Sequence, residues 1–125
     1  MKINLPEKFV KEPTGFPFSP VLTVEGKEIV VTSGVCCDDY DGKVPDSMEE
    51  QARNTLLACE NFLKEAGCSL SQVFNVEVFL KDMDQWGDFN AVYKEIMPDP
   101  KPCRRALQVG LMPGYLVEVV MWAVK

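Results

Sequence analysis

Apolar residues recur along this chain with two different periods. Between residues 48 and 66, Met48, Ala52, Leu56, Cys59, Phe62, Leu63 and Ala66 return every three or four positions, the spacing that stacks side chains on one face of an α-helix. Asp46 can cap its start, Glu49 completes a capping box, and Gly67 follows as the residue that ends it. The stripe covers one side only, so this helix is expected to lie on a sheet. Residues 73–80 alternate instead, with Phe74, Val76, Val78 and Leu80 on one face and Asn75, Glu77 and Phe79 on the other, which predicts a strand. The polar second face suggests an interior lined by water or by other subunits. A second helix is predicted from a cap at Asp82 or Asp84 to about Met97, with Trp86, Phe89, Val92, Tyr93 and Ile96 on its apolar side and Pro98 and Pro100 beyond its end.

Residues 103–111 and 116–124 read as two strands around a Met-Pro-Gly-Tyr turn, hence a C-terminal hairpin. Matching the apolar rows sets the register, because a slip of one residue turns every side chain to the other face. Leu107, Val109 and Leu111 then share a face with Val117, Val119, Met121 and Ala123. Arg104, Ala106, Gln108 and Gly110 share the other with Leu116, Glu118, Val120, Trp122 and Val124. A carboxylate in so apolar a strand is costly unless it is paired, hydrogen-bonded or facing a wet pocket. In this register Arg104 and Glu118 stand about six residues, or roughly 20 Å, apart along the hairpin. A site that used both would need one of them from a second subunit; the alternative is that Arg104 is a surface ion pair and Glu118 a rim residue.

Residues 1–20 carry four prolines and are expected to form an extended arm, with one short strand around Lys8 to Lys11. Phe16 and Phe18 alternate with Pro17 and Pro20 in a stiff display of rings, suited either to core packing or to lining a pocket. Residues 21–24 and 28–32 read as another hairpin, closed by Glu25-Gly26-Lys27. Ser33-Gly34 ends it, a small pair where backbone N–H groups can come close to a ligand, and residues 35–45 form a loop with an Asp41-Gly42 turn. The order is strand, strand, helix, strand, helix, strand, strand: an α+β fold with two helices on one face of a mostly antiparallel sheet. The uncovered face, with Asn75, Glu77, Phe79, Glu118 and Trp122, is expected to be buried by symmetric self-association.

At 125 residues the chain is the size of one domain with one core, residues 1–125. Its first residues lack a basic and apolar leader pattern, and no apolar run approaches the ~20 residues that span a bilayer, so a soluble cytoplasmic protein is expected. A net charge of −6 with scattered basic residues argues against nucleic acid and membrane as partners. The five cysteines show no CxxC spacing and read as free thiols. Cys59 reads as core filler, and the adjacent Cys36 and Cys37 as a place for a reactive thiol that lacks a base nearby in sequence. There is no histidine, which removes Ser-His-Asp and Cys-His nucleophiles and His-ligated metals. Acid–base work is left to carboxylates, Tyr, Lys, Cys, backbone and water. Neither GxxxxGK[ST] nor GxGxxG occurs, so nucleotide chemistry is not expected.

Five segments carry a further message: Phe16-Pro17-Phe18-Ser19, Thr32-Ser33-Gly34, Phe89-Asn90-Ala91-Val92-Tyr93, Pro102-Cys103-Arg104 and Leu116-Val117-Glu118-Val119. In order and approximate spacing they resemble the RidA/YjgF family of reactive-intermediate deaminases, and the likeness runs from about Phe16 to Lys125. The resemblance implies a chorismate-mutase-like fold and a homotrimer with an interior barrel and clefts between subunits. It also implies hydrolysis of 2-aminoacrylate and related enamines or imines to the 2-keto acid and ammonia, with no cofactor and no metal. By the same resemblance Arg104 would hold the substrate carboxylate, and Glu118 would bind or activate the attacking water with help from the carbonyl of Ala106. Phe18, Ser33, Gly34, Phe89 and Asn90 would line the cleft. The chain departs from the family in having Phe18 where tyrosine is common, Val35 and Pro20 where glutamines are common, Arg105 where a small residue is usual, and a shorter turn before Glu118. The same cleft would equally suit a non-catalytic trimer that binds small carboxylates. The ribonuclease activity attributed to some relatives fits poorly with an acidic chain that has no histidine and no basic stripe.

Overall fold

The computed structural model describes residues 2–125. Four strands form its main sheet: β3 (Ile29–Val31), β4 (Val73–Leu80), β5 (Cys103–Gln108) and β6 (Val117–Val124), in the spatial order β3-β6-β4-β5. The first three neighbours are antiparallel, and β5 runs parallel to β4. Two long helices, α3 (Met48–Glu65) and α4 (Trp86–Ile96), cover one face. Two shorter ones precede them, α1 (Glu7–Lys11) and α2 (Asp38–Asp41). No helix among the described residues is long and apolar enough to cross a membrane.

The periodic segments form as their patterns require. Met48, Ala52, Leu56, Cys59 and Leu63 of α3 are buried against the sheet, while Phe62 sits on the flank. The cap is Ser47 rather than Asp46: its Oγ accepts the Glu50 N–H at 3.2 Å. Gly67 closes the helix at φ 80°, where a side chain would be strained. Before α4, Asp82 accepts the Asp84 N–H at 2.9 Å at the head of a 3₁₀ turn. Strand β4 has the expected bounds. A bulge between Val73 and Asn75 puts Val73 into the core in place of Phe74.

The C-terminal hairpin does not exist. Strand β4 stands between β5 and β6, because β4, α4 and β5 form a crossover unit whose helix returns the chain parallel to its start. Strand β6, apolar on both faces, takes an interior position, and the more polar β5 takes the edge. This reverses the expected facing of β5. Arg104 and Ala106 lie abreast of Val76 and Val78, on the face that the helices cover. Leu107, expected in the core, lies abreast of Phe79 on the open face and is 47% exposed.

The other hairpin is absent too. Strand β2 (Thr23–Glu25) pairs with β1 (Lys2–Asn4) in a separate two-stranded sheet, whereas β3 pairs with the end of β6. Between them the chain crosses over β6: the Lys27 and Glu28 N–H groups both donate to the Lys125 carbonyl at 2.8 Å, and a Cβ on Gly26 would collide with Val124. In the arm, Lys8 to Lys11 is helical rather than extended, since Pro6 presets the entry and Glu7 and Lys11 pair at 2.7 Å, one turn apart. The expected loop at 35–45 contains α2, ended by Gly42 at φ 78°.

Candidate functional site

Arg104 leaves the edge strand beneath α4, and four rings surround its guanidinium. Their centroids lie at 4.7 Å (Tyr93), 5.5 Å (Phe18), 5.7 Å (Phe89) and 6.0 Å (Trp86) from Cζ, each within the range of a cation–π contact. Trp86, Phe89 and Tyr93 reach it because residues three and four apart share a helix face. Phe18 reaches it because Ser19 pins the arm, its N–H donating to Pro102 O at 3.1 Å and its hydroxyl to Lys101 O. Phe16 stacks on Phe18 at 5.4 Å and prolongs the aromatic wall outward. Ala106 follows on the same face, and Asn90, next along α4, is buried.

The charge in this cage is unanswered. Arg104 Nε and Nη1 are buried without an acceptor, and the Tyr93 hydroxyl and Asn90 Oδ1 are likewise unpartnered. Among the described residues no carboxylate pairs with Arg104, although Arg105, on the opposite face, reaches Glu77 at 3.7 Å. Desolvation lowers the Arg104 pKa, with Tyr93 opposing the shift, and burial pushes the Tyr93 phenol up. An arginine stays protonated even so. A guanidinium with unmet N–H groups is where an anion gains most.

Glu118 occupies the other face. It lies abreast of Phe79 near the start of β6, whose entry is fixed by the buried Gln51. The Gln51 amide donates to Pro45 O at 2.7 Å and Gly114 O at 2.9 Å, and its carbonyl accepts the Leu116 N–H at 2.9 Å. Beyond β3, Val35 and Val119 exchange backbone bonds of 2.8 and 2.9 Å, which hold Gly34 and Cys36 beside the carboxylate. A Cβ on Gly34 would stand 2.8 Å from both Cδ and Oε2 of Glu118, so the carboxylate would have to turn aside from any side chain placed there. The Cys36 thiol donates to Oε1 at 3.6 Å. Burial first, and then the negative charge of Glu118, push Cys36 up to about 12, so at neutral pH the thiol is a protonated donor. Ser33 and Gly34 also line a cavity of about 420 Å³ with Val31, Asp39 and Phe62.

The expected site residues therefore gather at two places. Phe18, Phe89, Arg104 and Ala106, with Asn90 alongside, belong to the first, and Ser33, Gly34 and Glu118 to the second. Arg104 is level with Val76 and Glu118 with Phe79, which puts them roughly 10 Å apart along the sheet and roughly 10 Å across it, and they point from opposite faces. Within one chain they do not meet, though for a different reason from the distance along a hairpin. Trp86, Tyr93 and Cys36 were not singled out for the site from sequence. The first two share a helix face with Phe89, which was a usable signal; Cys36 follows Gly34 by two residues, which was a weaker one. Among the described residues no group of three or more Cys, Asp or Glu side chains could hold a metal ion.

A profile of the family described as Endoribonuclease L-PSP matches residues 11–125. The chain is 42% identical over 113 residues to Protein mmf1, mitochondrial, of Schizosaccharomyces pombe, covering 90% of this chain and 68% of that protein. It is 33% identical over 111 residues to a 2-iminobutanoate/2-iminopropanoate deaminase of Mus musculus, covering 87% and 82%. Among solved structures, E. coli TdcF with bound serine superposes with a TM-score of 0.70 at 25% identity, covering 88% and 93%.

Proposed function

The chain belongs to the endoribonuclease L-PSP family, which is the RidA/YjgF family, and from that membership we propose that it hydrolyses small enamine and imine carboxylates such as 2-aminoacrylate. An enamine such as 2-aminoacrylate first takes up a proton on its terminal carbon and becomes the imine; water then adds to the C=N carbon, the C–N bond breaks, and the products are the 2-keto acid and ammonia. Arg104 holds the substrate carboxylate through its planar fork. Glu118 takes a proton from the water and returns one to the departing nitrogen, the Ala106 carbonyl helping to hold the water. No cofactor or metal takes part. The relative from Mus musculus is named for this reaction on 2-iminobutanoate and 2-iminopropanoate, and the E. coli relative holds serine, an α-amino carboxylate.

The observation that carries this reading is the caged Arg104, a half-buried cation whose Nε and Nη1 are buried without an acceptor. Because Glu118 projects from the opposite face, the two residues act together in a cleft between subunits of a homotrimer, with the open sheet faces buried inside a barrel. The test couples serine/threonine dehydratase to lactate dehydrogenase and follows keto acid formation from serine or threonine. Acceleration by the wild-type protein that is lost in Arg104→Ala is expected. Binding of small carboxylates with no turnover of any imine would instead assign the cleft to a binding protein.

A further inference from the structure

The deaminase reading gives Glu118 a role but leaves open how its carboxylate is kept in one orientation. A glutamate has three rotatable bonds, and a general base that wanders loses rate through misplacement. The surroundings differ for its two oxygens. Oε1 accepts from the Cys36 thiol at 3.6 Å, while Oε2 lies against Gly34, where a Cβ would stand at 2.8 Å, and accepts no hydrogen bond from a described residue. Cys36 is itself held: its N–H donates to Asp39 Oδ2 at 3.0 Å, and Val35 beside it is locked to Val119.

We propose that Cys36 is a positioning residue for Glu118: its thiol occupies Oε1, Gly34 makes room on the backbone side, and Oε2 is left as the oxygen that handles the water. This rests on the deaminase reading for its consequence, but the pairing itself belongs to the resting protein. The thiol suits the task because it stays protonated at neutral pH, burial and the Glu118 charge both acting in that direction. The other charged neighbours, Asp38 and Asp39, push the same way. Valine or leucine in its place would fill the space and orient nothing.

Two measurements decide it. In the coupled assay, Cys36→Ala is expected to lower kcat about tenfold with KM unchanged, because Arg104 and not Cys36 binds the carboxylate, and Cys36→Ser, which restores a donor, to recover most of that loss. Separately, the rate at which iodoacetamide labels the peptide containing Cys36 is measured in wild type and in Glu118→Gln. Removing the carboxylate charge should speed labelling several-fold. Wild-type kcat in Cys36→Ala, equal losses in the Ala and Ser variants, or labelling indifferent to Glu118→Gln would each overturn the proposal. If the wild-type protein turns over no imine, the deaminase reading fails by itself, and the labelling rates still decide whether thiol and carboxylate are paired.

Discussion

The surroundings of Arg104 and of Glu118 differ in how each charge is treated. The arginine is enclosed by Phe18, Trp86, Phe89 and Tyr93, and its Nε and Nη1 find no acceptor. The glutamate has a donor on Oε1, a glycine shaped to its back, and a strand entry fixed by Gln51. One half is built around something the chain does not supply; the other is already assembled. Leaving Nε and Nη1 of a half-buried cation without an acceptor carries a desolvation cost, which an anionic ligand arriving in the cage would offset. The sheet keeps the two residues on opposite faces, so within one chain Arg104 is not neutralised by Glu118.

The largest expected effect comes from removing the unanswered charge. Arg104→Leu should cost about 2–5 kcal/mol of transition-state binding, read as kcat/KM. The same variant should melt at the wild-type temperature or a few degrees higher, because a half-buried, unpaired cation is replaced by an apolar group. Loss of activity with a lower melting temperature would mean that the cage already satisfies the cation. A smaller effect is expected on the other side: Gly34→Ala puts a Cβ where the carboxylate lies and turns that flexible side chain aside, lowering kcat about tenfold while urea titration shows stability within about 1 kcal/mol of wild type. An unaffected Gly34→Ala would mean that the orientation of Glu118 is not fixed.

The smallest effect is a pH dependence. Cys36 is raised from 9.0 to about 12 in the folded chain, so the folded state holds this proton more tightly than the unfolded state. The associated stability is fully present below pH 9.0 and is lost as pH rises from there toward about 12. Urea midpoints of wild type and Cys36→Ala, compared at pH 8 and pH 10.5, should show the wild type losing more over that interval. Parallel curves would remove the thiol from the Glu118 half.

The two halves also differ in how far they could be read from sequence. The α3 stripe, the bounds of β4 and the aromatic face of α4 follow from local periodicity, and the structure has them. What failed was the choice of neighbours. Alternation in residues 103–108 says which side chains share a face but not that β4, reached through α4, is the partner; assigning the nearer strand put Leu107 in the core and Arg104 on the open face. The same limit broke the hairpin at Gly26, where contact with Val124 decides the path. Cys36 and Glu118 are 82 positions apart, and no spacing rule joins them, whereas Trp86 and Tyr93 were visible on the right helix face without the residue they face.

Subunit mixing tests the division of the site most directly. Arg104→Ala and Glu118→Gln proteins, each inactive alone, are unfolded together, refolded in equal amounts and assayed for imine hydrolysis, with sedimentation verifying trimers. A cleft that takes Arg104 from one subunit and Glu118 from its neighbour leaves one intact cleft in every mixed trimer, so random assembly should restore about a quarter of wild-type activity. Mixed trimers that stay inactive, or a protein that sediments as a monomer while active, would contradict a site shared between subunits.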